Sequence, residues 1–145
     1  MAENPNSINF SFINIKTEQF VTFEENFDKS KEIKLNTNLS FGLNSEDKIF
    51  SISTKFTFEI NNKPFVSIQL SCFFEIDKNN WESLITNGVI FFPKDFVAHM
   101  AMLTVGTSRG VLHAKTEGTI FNEFVLPTIN VVDMIKEPIS FDLNS

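Results

Sequence analysis

The sequence predicts an α+β fold: a four-stranded antiparallel sheet covered on one face by a long helix and a short C-terminal helix. Three observations lead there. Between residues 33 and 76, apolar side chains recur at every second position in three successive runs, the period of a strand with one buried face. After Pro93 an i, i+4, i+7 stripe appears, the spacing of a helix that lies on such a face. Finally, 18 of the 145 residues are Phe, beside one Trp and no Tyr, so the apolar area is large and carries no phenolic hydroxyl.

The first strand falls within residues 8 to 24. Phe10 and Phe12 share one parity and Ile13, Ile15, Val21 and Phe23 the other, so a bulge or break is expected near Phe12. The second places Ile33, Leu35, Leu39, Phe41 and Leu43 on one face, with Glu32, Lys34, Asn36, Asn38 and Ser40 between them. Asn44-Ser45-Glu46-Asp47 then turns the chain. The third alternates Phe50, Ile52, Phe56, Phe58 and Ile60 with Ser51, Ser53, Lys55, Thr57 and Glu59, and Asn61-Asn62-Lys63-Pro64 turns again. The fourth sets Val66, Ile68, Leu70, Cys72, Phe74 and Ile76 against Ser67, Gln69, Ser71 and Glu75. Short turns make these neighbours antiparallel.

Four strands with one apolar face need a cover. Trp81 to Thr86 has room for a short helical turn. Pro93 is placed to open a longer helix, with Asp95 in a first turn where the helix dipole favours a carboxylate. Phe96, Met100 and Leu103, flanked by Val97 and Ala101, form its apolar stripe. Gly106, Gly110 and Ala114 recur every fourth residue and leave two readings open. Each Gly costs a helix about 1 kcal/mol, so the helix ends there and a loop follows; or it runs on to about Lys115 and its small residues form a groove for a subunit interface. Residues 119 to 126 look extended, and Val131 to Lys136 fit a final short helix. The expectation is a single domain over residues 1–145, with flexible ends at about 1–7 and 137–145.

Composition narrows the function. Twelve basic against 18 acidic groups give a net charge of −6, which opposes phosphate-backbone binding, so no nucleic-acid partner is expected. Arg109 is the sole guanidinium, which weighs against an arginine clamp for phosphate or carboxylate. Cys72 is the only cysteine, so one chain holds no disulfide and no Cys-based zinc site; its alternation with Leu70 and Phe74 marks it as a small core residue. No run approaches 18 apolar residues, and the N-terminal stretch lacks the features of a secretory signal. A cytoplasmic protein without membrane insertion is expected, in which the Asn38-Leu39-Ser40 sequon is accidental.

Few residues carry possible chemistry. Gly106-Thr107-Ser108-Arg109-Gly110 matches G-x-S-x-G, but that nucleophile elbow needs a strand before it and an acid and then a His beyond. Here a helical stripe precedes it, and His113 follows Ser108 by five residues with no acid between. His99 and His113 lack any partner at ligand spacing. No enzyme, metal or cofactor is expected. Arg109 suits a structural role, neutralising a carboxylate or capping carbonyls at an element end. The remaining oddity is surplus apolar area. Phe65 and Phe73 fall on the polar parity of the fourth strand, as Ile49 does in the third, while Trp81, Phe91, Phe92, Phe121 and Phe124 lie outside the regular strands. Each alone fits a core position; together they exceed what one sheet face hides.

The order of these elements carries a resemblance. Four antiparallel strands, Phe91-Phe92-Pro93 opening a long helix, and Leu126-Pro127-Thr128-Ile129-Asn130-Val131 before a short terminal helix resemble the SecB export chaperone family, as does the opening stretch INFSFINIKTEQFVTFEE. Thr107-Ser108-Arg109-Gly110 is more similar to divergent SecB-like proteins. Coverage is roughly residues 8 to 136. The resemblance implies a cytosolic, ATP-independent holdase without cofactor, often a dimer of dimers. It would bind unfolded or nascent polypeptides through long apolar grooves, for export or for a toxin–antitoxin system. Phe65, Phe73, Trp81, Phe91, Phe92, Phe121 and Phe124 would then contact clients, and Gly106, Gly110 and Ala114 the second subunit. The sequence departs from the export chaperone by lacking its glycine-proline-rich turn between Pro93 and Leu126. The alternative on the same fold is a non-chaperone oligomeric adaptor.

Overall fold

The computed structural model describes residues 7–124 and 126–144. Its main sheet has four antiparallel strands, β1 (Phe10–Thr22), β2 (Lys34–Asn44), β3 (Ile49–Ile60) and β4 (Lys63–Ile76), in the order β1-β4-β3-β2. After β4 come α1 (Lys78–Ser83), β5 (Ile85–Thr86), β6 (Val89–Phe92), the long α2 (Lys94–Thr116), the one-turn α3 (Val131–Met134) and β7 (Ile139–Asp142). The expected architecture is present: strands in antiparallel order, a long helix across one face, and a short helix near the C-terminus.

Alternation places the core. Phe50, Ile52, Phe56, Phe58 and Ile60 of β3 and Val66, Ile68, Leu70, Cys72, Phe74 and Ile76 of β4 are all buried beneath α2, which packs on those two strands. From α2 they meet Phe96, Val97, Met100, Ala101, Val105 and Leu112, which are also buried. The other sheet face is polar, and its cross-strand hydroxyls pair: Ser53 with Ser71 at 2.5 Å and Thr57 with Ser67 at 3.1 Å. One polar pair crosses the apolar layer, where Thr54 Oγ1 on β3 and Ser108 Oγ on α2 lie 2.7 Å apart.

The helix resolves the glycine ambiguity by running through Gly106 and Gly110 to Thr116. β1 is bulged twice, between Phe12 and Asn14 and between Thr17 and Gln19, so the parity change seen in sequence is real. Asn61 and Asn62 turn β3 into β4 with positive φ at both positions, the mirror-image turn that matches strand twist.

Other expectations need correction. Residues 119–123 are not extended. Thr119, Asn122 and Phe124 donate backbone hydrogen bonds to Thr116, Thr119 and Phe121, folding the stretch into successive turns. The C-terminal stretch, expected to be loose, contains β7, which pairs with β6 from Val89↔Asp142 to Phe92↔Ile139. β5, β6 and β7 form a second, three-stranded sheet absent from the sequence reading. A signal for it was present. Asn87-Gly88, flanked by apolar residues, is a strong two-residue hairpin signature, and both residues have positive φ, 52° and 76°.

Candidate functional site

Burial divides the seven aromatic residues singled out in the sequence. Phe65, Trp81, Phe92 and Phe121 are core residues, each at most 5% exposed. Phe65 reaches the core because the β3–β4 register shifts between Phe58 and Glu59, so the alternation that assigns it to the polar face is broken at that point. There it packs against Phe27, Phe58, Phe121 and Phe124, with ring centroids 5.2–6.1 Å apart. Phe92 stacks on Phe96 at 5.8 Å and lies 4.6 Å from Phe50. Phe73 is half-buried on the polar face, Phe124 is half-buried at the edge of the Phe65 cluster, and Phe91 is exposed.

Further exposed apolar side chains lie at the margins of the sheet. β2 ladders with β3 alone, and no other backbone hydrogen bond reaches it among the described residues, so its outer edge offers unpaired N–H and C=O groups. Beside that edge is an open groove of about 510 Å³, walled by Thr37, Asn38, Leu39 and Phe41 of β2 and by residues Met134 to Ile139. Its apolar lining is Leu39, Phe41, Met134, Ile135 and Ile139. Where β2 begins, a second hollow of about 350 Å³ is lined by Phe27, Ile33 and Phe124 with Lys29 and Glu123. From Ile33 to Phe41 the strand extends about 26 Å at roughly 3.3 Å per residue. A cleft of about 540 Å³ near the β1–β2 connection is walled largely by charge, including Glu25, Asp28, Lys29, Lys31 and Lys63, and lacks this character. Sequence reasoning missed Leu39 because it sits on regular apolar parity, Met134 because it falls in a short helix, and Ile139 because it falls in an end expected to be loose; only tertiary placement brings the three together.

Arg109 anchors the chain that follows α2. Its Nε donates to the Leu126 carbonyl and its Nη2 to that of Pro127, both at 3.0 Å. The sole arginine therefore ties the crossover after α2 to that helix, the carbonyl-capping role expected of it. Asn122 Nδ2 adds bonds to the His113 carbonyl and the Thr116 hydroxyl.

The remaining candidates have structural surroundings. Ser108 is fully buried in mid-helix and donates to the Thr104 carbonyl at 2.9 Å, in place of an exposed strand-to-helix elbow. His113 lies 3.8 Å from Glu117 on the exposed side of α2, and His99 meets the Phe10 ring edge-on at 5.8 Å. Cys72 is fully buried; burial pushes its thiol up, partly opposed by hydrogen bonds with Thr104 and Thr107. Gly106, Gly110 and Ala114 lie on the exposed face of α2 with Met102, and a Cβ added at either glycine would meet nothing within 4 Å. Among the described residues, nothing packs within that distance of either glycine position. Phe12, Ile13 and Ile15 of β1 are exposed at 39%, 45% and 48%.

No family model matches the sequence, and no curated protein sequence is significantly similar to it. Among solved structures, the chain is similar in fold to the SecB-like chaperone Rv1957 of Mycobacterium tuberculosis, solved in complex with a ChAD peptide from the HigA1 antitoxin. The alignment covers 83% of this chain and 90% of that one, with a TM-score of 0.52 at 7% identity. A Streptococcus agalactiae protein of unknown function aligns over 85% of this chain and 98% of its own, with a TM-score of 0.40 at 16% identity. The fold is SecB-like.

Proposed function

We propose that the protein is an ATP-independent, holdase-type chaperone that binds unfolded or nascent polypeptides as extended segments along β2. The observation that carries this is the unpaired β2 edge bordered by an apolar groove. An added strand would satisfy the free backbone groups of β2, and every second side chain, on its covered face, would lie along the apolar hollows. Backbone pairing is indifferent to sequence and apolar hollows discriminate weakly, which suits many clients. A solved neighbour of the same fold holds an antitoxin peptide, in keeping with a polypeptide as occupant. Service to a toxin–antitoxin system is one role that fits, and export is another. The protein acts in the cytoplasm, without catalysis, as a homo-oligomer built through the exposed face of α2 around Gly106 and Gly110.

The test is suppression of aggregation of two unrelated unfolded proteins, with a variant carrying Leu39→Thr and Met134→Ser as control. Suppression at near-stoichiometric amounts, weakened at least tenfold in the variant, is expected. Tight binding to one partner without suppression would replace the holdase by a dedicated oligomeric adaptor.

A further inference from the structure

We propose that the β6 edge now occupied by β7, together with Phe50 and Phe92, is a second strand site that β7 holds closed. An extended client segment with large apolar side chains two residues apart would displace β7. The proposal rests on the holdase reading above and adds a gate to its groove.

β7 itself shows what the site takes. Its sequence, Ile139-Ser140-Phe141-Asp142, alternates, with Ile139 and Phe141 half-buried and Ser140 and Asp142 exposed. Phe141 lies 6.3 Å from Phe50 and 6.2 Å from Phe92, both fully buried, and pairs across from Ile90. Ile139 faces two ways: it pairs with Phe92 and also lines the groove beside β2. The strand therefore seats two large apolar side chains, two residues apart, on the inner wall of the proposed client site.

The same strand is short and peripheral. It is four residues long, pairs on one side only among the described residues, and lies at the margin of the smaller sheet. Beyond it, Leu143 N–H donates to the Gly88 carbonyl at 2.8 Å. Before it, Lys136, Glu137 and Pro138 form no regular element and line the open groove. Short, one-sided, half-exposed strands belong to the least stable parts of a fold. Simple loss of β7 would expose Phe50, Phe92 and Ile90 to water, so replacement by a similar segment is favoured over opening. An empty chaperone thereby keeps part of its apolar surface covered. A client pays for displacement through a reduced apparent affinity, set by the fraction of molecules in which β7 is away.

The pair Phe91↔Ser140 allows a lock, because both residues are exposed and directly opposite in the β6–β7 ladder. Full-length Phe91→Cys/Ser140→Cys would be compared oxidised and reduced for binding to carboxymethylated, permanently unfolded α-lactalbumin. Locking should weaken binding about tenfold or more relative to the same variant reduced. In the wild type, the same client should accelerate hydrogen exchange of the β7 amides. Equal affinity in both oxidation states, with β7 exchange unchanged by client, overturns the strap while leaving the groove intact. No binding by any form, wild type included, removes the holdase reading itself.

Discussion

The central strands β3 and β4 and the outer strands β1 and β2 draw on the same alternating vocabulary, yet they meet different surroundings. From Phe50 to Ile60, every covered-face residue of β3 is at most 5% exposed. On the outer strands, Leu39 and Phe41 remain half-buried, and Phe12 and Ile15 are more than a third exposed. The cause is width. A helix is about 10 Å across with its side chains and strands lie about 4.8 Å apart, so one helix covers roughly two strands. The outer pair is left to loops and to the short C-terminal elements, which cover it incompletely. The centre of this sheet makes the fold, and its margins leave apolar side chains open.

Truncation in the two regions should differ most. Phe65→Ala removes a fully buried ring from a five-phenylalanine cluster and is expected to cost about 3–5 kcal/mol in denaturant unfolding. Ile15→Ala on the exposed edge should change stability by no more than about 0.5 kcal/mol. Similar losses at both sites would break the contrast. Next in size is Thr54→Val, which deprives the buried Ser108 hydroxyl of its partner on the sheet and should cost about 1–2 kcal/mol. A neutral outcome would mean that this pair contributes nothing to seating α2.

Cys72 reports on the dryness of the centre. Its folded-state thiol is pushed up by burial, so the unfolded chain ionises first. Stability associated with Cys72 is fully present below about pH 8.5 and is lost as pH rises from there toward the folded value, by at most about 1.4 kcal/mol per unit. Wild type compared with Cys72→Ala between pH 8 and 10 isolates that slope from the lysines the two share. Parallel curves would show that water reaches the thiol. A small effect on folding is expected at the helix face, where a Cβ added at Gly106 meets nothing within 4 Å among the described residues and Gly106→Leu improves helix propensity by less than about 1 kcal/mol. Light scattering should nevertheless show the variant at a lower mass than the wild type, whereas equal masses would place the subunit interface elsewhere.

The sequence made the centre legible because strict period two, broken only by asparagine-rich turns, has one physical solution. It was less informative where one residue changes the parity. Phe65 reads as a surface phenylalanine until the shift after Phe58 turns it inward. The opposite error concerns Leu39, whose pattern matches buried neighbours but whose position lies beyond the reach of α2. Alternation reports which face a side chain takes, and says nothing of how far across the sheet its strand lies. β5 to β7 went unread for a different reason: strands of two to four residues leave almost no period to detect, although Asn87-Gly88 marked their first turn.

Hydrogen exchange in the full chain, with and without an unfolded client, tests the marginal site most directly. Amides pointing outward from β2 between Lys34 and Leu43 find no backbone partner among the described residues and should gain protection when client binds, while β3 and β4 stay as they were. Protection that appears on β1 or the polar sheet face, and leaves β2 unchanged, would contradict client binding along this edge.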